Sequence, residues 1–113
     1  MKASLPVLVT LIVLAFPGAV HAQAGDAARG QSLARQVCSE CHSVLAQETR
    51  SPNPKAPPFV VMATTPGMTP TALTVALTTP HAGMPMFKLT EDQRADLIAY
   101  ILGLKGAAKA PGR

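Results

Sequence analysis

The residues of this chain best equipped for chemistry are Cys38, Cys41 and His42, which stand together in the run Cys38-Ser39-Glu40-Cys41-His42. Two thiols about one helical turn apart can add to two vinyl groups on one side of a porphyrin, and an imidazole directly after them can bind the central iron. The run therefore reads as a covalent haem-attachment site. A Cys pair at this spacing is also compatible with a disulfide or a redox dithiol, which an exported protein is free to form. Structural zinc is poorly served, because it needs about four ligands and only His81 and distant carboxylates could complete the set.

Iron in an electron carrier is usually held from both faces, and a thioether opposite His favours the ferrous state. Met84 and Met86 lie in the run Met84-Pro85-Met86. Pro85 fixes a backbone dihedral and removes a donor, which stiffens the chain beside Met84. Met84 is therefore the preferred sixth ligand, with Met86 packing against haem or core. His81 is a competing ligand that would give bis-His iron. Met62 and Met68 read as flexible core fillers.

These donors need elements to carry them. Asp26 is a carboxylate cap for a first helix whose apolar positions Leu33, Ala34 and Val37 lead into Cys38. Gly30 sits inside that helix, at a cost of about 1 kcal/mol relative to Ala unless another element approaches there. From Ser43 to Pro66 the chain carries Pro52, Pro54, Pro57 and Pro58, which predicts an extended loop with a short helical turn through Phe59–Met62. Thr69 and Pro70 form an N-cap and first helical position, and Leu73, Ala76 and Leu77 follow at helical spacing as far as Pro80. Thr90 and Gln93 form a capping box for a last helix with the apolar stripe Leu97, Ile98, Ile101 and Leu104, ending near Gly103 and Gly106. No stretch alternates at strand spacing. The fold class is all-α, with Gly106 to Arg113 as a frayed tail.

The segment Leu5 to Val20 is almost wholly apolar, follows Lys2 and is followed by Val20-His21-Ala22. It reads as a signal peptide, residues 1–22, leaving residues 23–113 as one exported domain. A retained anchor is the competing reading, but the run is short for a bilayer span of roughly 20 residues and contains Pro6 and Pro17. The remaining domain of about 90 residues is small enough to gain from a covalent staple, which attached haem supplies. The chain has ten Lys or Arg, one of them Lys2, against six Asp or Glu, and the basic residues are scattered. Dispersed charge speaks for a solvated surface. The absence of Trp, with one Tyr and three Phe, leaves no stacking platform for nucleic acid.

The residues together resemble the class I, monohaem, cytochrome c family from Gly25 to Lys105: Gly30 in the first helix, Cys38 to His42, Ala56-Pro57-Pro58-Phe59, the helix from Pro70, Met84-Pro85, and Leu97-Ile98-Ala99-Tyr100. The resemblance implies a small helical domain wrapped around one covalent haem c. It implies that Gly30 lies where the first and last helices cross, under Leu97 or Tyr100. It also implies that a loop proline, Pro57 or the adjacent Pro58, offers its carbonyl to the free ring nitrogen of His42. Ala34 replaces an aromatic frequent in the family, which predicts a lighter crossing, and the Trp that some members use on a haem propionate is missing.

Such a protein is expected to act in the periplasm as a monomeric carrier of single electrons, without catalytic residues. Its partners would be a donor dehydrogenase or respiratory complex and an acceptor oxidase or reductase. An electron-transfer subunit of a dehydrogenase, and a haem sensor or weak peroxidase with a displaceable Met, are the competing readings.

Overall fold

The computed structural model describes residues 24–109; the apolar segment 1–22 and the cleavage site after it lie outside the described residues. Four helices follow in order: α1 (Ala27–Leu33), α2 (Phe59–Thr64), α3 (Pro70–Thr78) and α4 (Glu91–Lys109). Among the described residues there is no strand, only an isolated bridge between His81 and Met84. The domain is all-α, as its apolar spacing predicts.

The helix starts follow their local chemistry. The Asp26 side chain accepts from the Arg29 amide, and the Thr69 side chain accepts from the Ala72 amide with Pro70 in the first turn. Thr90 and Gln93 exchange hydrogen bonds, each side chain accepting from the other's amide at 3.1 and 3.0 Å. Each arrangement satisfies amides that the first turn of a helix leaves without partners.

α4 is the axis of the domain, packing against α1, α2 and α3 and most extensively against α1. Its stripe Leu97, Ile98, Ile101 and Leu104 is buried with Tyr100, Ala34, Val44, Phe59, Ala63 and Leu73 in one core. Met62 and Met68 are half-buried against that core, in keeping with their reading as fillers. α4 does not stop near Gly103 or Gly106 but runs on to Lys109. Both glycines face open space, and Ala107 and Ala108 favour helix enough to carry it past them. No described helix is long and apolar enough to cross a membrane.

The misfit of Gly30 has a steric reason. A Cβ there would overlap the Asp96 carbonyl and lie 2.8 Å from the Tyr100 Cβ, so α1 and α4 cross in backbone contact. The neighbour from α4 is thus Tyr100 together with the Asp96 backbone, one residue before the Leu97 that the resemblance offered as an alternative. Gly25 repeats the arrangement beneath the Ala95 carbonyl. The crossing is clasped by the buried Asp96 carboxylate, which accepts from the Asp26 amide at 2.6 Å and from Arg29 Nε at 2.8 Å and Nη2 at 3.1 Å. Ala34 is fully buried beside this crossing in the common core.

Candidate functional site

α1 does not deliver Cys38 by ordinary α-helical continuation. Residues Ala34–Cys38 form a π-helical turn, and the Ser39 amide donates to the Ala34 carbonyl at 3.1 Å. Single π turns occur often at functional positions, and this one re-aims the chain at the first cysteine. The amides of Cys41 and His42 then both donate to the Cys38 carbonyl, at 3.2 and 2.9 Å. Both thiols and the imidazole are thereby gathered onto one tight turn, with both cysteines free and half-buried.

Cys38 packs against the core, and burial pushes its thiol up to about 11. A redox dithiol depends on a readily formed thiolate, for which a lowered value is required. The surroundings of Cys38 therefore disfavour the thiolate that thiol exchange would use.

The loop after His42 is shaped by Ser43. Its amide donates to Ser51 Oγ at 3.0 Å, its hydroxyl donates to the Glu48 carbonyl at 2.7 Å, and its carbonyl accepts from the Phe59 amide at 2.9 Å. The Asn53 amide adds a bond to the Cys41 carbonyl at 3.1 Å. A buried serine with every polar group satisfied folds the loop back on itself and returns Pro57 to the imidazole. Sequence reasoning missed Ser43 and Ser51, since neither residue type carries a signal at this spacing.

His42 Nδ1 lies 2.8 Å from the Pro57 carbonyl. A carbonyl only accepts, so Nδ1 carries the proton and the Nε2 lone pair is left to bind a metal. A second-sphere acceptor of this kind fixes ring orientation and raises ligand basicity. Of the two prolines considered, Pro57 makes this contact, and Pro58 caps α2 instead. The imidazole also faces Phe59, with ring centroids 5.5 Å apart, and Phe59 in turn faces Tyr100 at 6.5 Å.

Met84 comes from the loop between α3 and α4. Its amide donates to the His81 carbonyl at 3.4 Å across a turn in which Gly83 takes φ +79°, a conformation glycine adopts without steric cost. His81 Nε2 lies 3.1 Å from Met84 Sδ. Met84 is half-buried, whereas Met86 is 51% exposed, so Met86 does not pack into the core as the sequence reading allowed.

Two thiols on one turn and an imidazole with its outer nitrogen occupied are a donor set that fits covalent haem. Known proteins point the same way. The family model described as "Cytochrome C oxidase, cbb3-type, subunit III" matches residues 25–101. A cytochrome c-552 of Bradyrhizobium diazoefficiens is 31% identical over 97 residues, which cover 86% of this chain and 92% of that protein. No solved structure matches the chain significantly. With most of the helical domain covered and Cys38, Cys41 and His42 inside the matched region, the chain belongs to the class I cytochrome c family of electron carriers, whose haem c is covalently bound.

Proposed function

We propose that this protein is a periplasmic monohaem cytochrome that shuttles single electrons between larger redox proteins, with haem c attached through Cys38 and Cys41 and its iron held between His42 and Met84. The observation that carries this reading is the 2.8 Å contact between His42 Nδ1 and the Pro57 carbonyl, which readies a ring beside paired cysteines for metal binding through Nε2. Bound haem supplies the one-electron ferric–ferrous couple.

The chain's own residues set the terms of that couple. Pro57 holds the His42 ring and strengthens it as a donor. Met84, a thioether, favours the reduced state, and the apolar core behind Cys38 keeps water from one side of the site. With two Cys in the sequence, there is one attachment pair and hence one haem. Export rests on residues 1–22 acting as a cleaved signal, so that residues 23–113 form the working domain. Scattered basic residues would assist encounter with donor and acceptor proteins. No residue is assigned to catalysis, and the domain works as a monomer.

The test is the optical spectrum of protein exported alongside the cytochrome maturation machinery. A c-type spectrum, a sulfur-to-iron band in the ferric form, and slow carbon monoxide binding by the ferrous form are expected. Loss of that band in Met84→Ala and its retention in Met86→Ala would fix the sixth ligand. Protein without haem overturns the proposal, and rapid carbon monoxide binding replaces it with a sensor.

A further inference from the structure

The loop that folds back after His42 leaves an open cleft of about 400 Å³ beside the imidazole. Its walls include His42 but none of Cys38, Cys41, Pro57 or Met84, so it is not the space assigned to haem. Two cations line it from different segments, Arg35 from the π turn and Arg50 from the loop. Both residues are exposed, and among the described residues neither enters an ion pair, whereas Arg29 is taken up by Asp26 and Asp96. The carboxylate on the walls, Glu48, serves its own loop: Oε2 accepts from the Leu45 amide at 3.4 Å and lies 3.3 Å from Ser43 Oγ. The hydroxyls are engaged as well, Ser39 donating to the Arg35 carbonyl at 2.5 Å and Ser43 to the Glu48 carbonyl. The side-chain donors left for a ligand are the two guanidiniums. Their backbones are pinned, one by the bond from the Ser39 amide to the Ala34 carbonyl and the other by Ser51, which accepts from the Ser43 amide.

We propose that this cleft is a binding site for a phosphate-class oxyanion, held by Arg35 and Arg50, and that its occupancy opposes reduction of the haem. Planar guanidiniums match the oxygens of phosphate with paired hydrogen bonds, which a point charge does not. A concave cleft of this size suits a small anion better than the broad face of a partner protein. Leu45 and Pro52 also line it, and they offer apolar surface to the organic part of a phosphate monoester. Iron gains a positive charge on oxidation, so an anion bound beside its proposed ligand His42 stabilises the ferric state. By linkage the ferric protein binds the anion more tightly by the same factor. The coupling rests on the reading of His42 as an iron ligand; the binding does not.

The test is calorimetric titration of the haem-loaded ferric and ferrous protein with inorganic phosphate and with phenyl phosphate, against sodium chloride of matched ionic strength. Saturable binding at one site is expected, tighter for phenyl phosphate; a preference for inorganic phosphate would assign the same site to the free anion. Arg35→Gln and Arg50→Gln should each weaken binding about tenfold, the loss of one charge-assisted contact. Arg50→Lys, which keeps the charge without the fork, should fall between, and Glu48→Gln should strengthen binding. Lys105→Gln, exposed on α4 and outside the cleft, should leave it unchanged. Melting in chloride alone checks that each variant is folded. Ferric protein should bind about threefold more tightly than ferrous, so saturating phosphate should lower the potential by about 28 mV, at 59 mV per tenfold for one electron. Binding no stronger than that of chloride, or parent-like binding in both arginine-to-glutamine variants, overturns the proposal, as does binding that leaves the potential unmoved. A protein without a c-type spectrum fails the functional reading while the calorimetry still decides the site, so the two failures are told apart.

Discussion

The Tyr100 hydroxyl donates to the Val44 carbonyl at 2.5 Å, joining the middle of α4 to the chain two residues beyond His42. Both partners are buried, so the bond links the helix crossing directly to the segment that carries the imidazole. Tyr100→Phe keeps the ring against Phe59 and removes only the donor. An unpaired buried carbonyl costs about 1–2 kcal/mol, and urea denaturation followed through the haem absorbance should show a loss of that size. A loss near zero would mean that water reaches the Val44 carbonyl.

Glycines in α1 and α4 should respond with opposite signs. On helix propensity alone, Gly→Ala stabilises by about 1 kcal/mol. Gly103→Ala and Gly106→Ala, which meet nothing within 4 Å, should approach that gain. Gly30→Ala should instead destabilise by about 1–3 kcal/mol, since forcing atoms into a packed contact costs that much and the Asp96 carbonyl is backbone that cannot swing aside. Chemical denaturation of the three variants checks the contrast, and stabilisation by Gly30→Ala would show that the crossing can open.

The Asp96 clasp predicts an acid limb in stability. The Arg29 guanidinium, followed by the Asp26 amide, holds the Asp96 carboxyl below the usual carboxylate range. A carboxyl with a lowered value in the folded state contributes stability above its unfolded value, about 3.9, and loses it as pH falls through the folded value beneath. Asp96→Asn should therefore melt below the parent at neutral pH, with the gap narrowing steadily below about pH 4. Arg29 is largely exposed, so added salt should also shrink the gap. A gap independent of pH would assign Asp96 a packing role alone.

What could be read from sequence was what is decided within a few residues. The Thr90–Gln93 box, the Thr69–Pro70 start and the Asp26 cap each involve neighbours whose geometry the helix itself imposes. Gly30 became legible only through resemblance, because its reason lies in a helix more than 60 residues away. The Asp96 clasp and the Tyr100–Val44 bond have the same long-range character, and no local pattern announces them. Ser43 escaped for a different reason: serine is common in loops, and only three simultaneous partners reveal that it organises one. The π turn before Cys38 leaves no compositional trace, since Ala-Arg-Gln-Val-Cys suits an α-helix equally well.

The two prolines at 57 and 58 should control the His42 ring in a graded way. The carbonyl that accepts from Nδ1 belongs to Pro57, so no side-chain replacement removes it; what changes is how firmly it points. The ring of Pro57 fixes its own φ, and Pro58 confines the ψ of Pro57 to the extended region, so both dihedrals that aim the carbonyl are restrained. Pro57→Ala releases φ and Pro58→Ala releases ψ, and the double variant releases both. As the acceptor loosens, His42 in its proposed role as iron ligand should become a weaker donor, ferric iron should lose stabilisation, and the potential should rise, least in the single variants and most in the double. Redox titration of the haem-loaded series gives the order directly. Equal potentials in all four proteins would mean that the Ser43 staples alone hold the loop, and Ser43→Ala in the double variant should then produce the rise that proline removal did not.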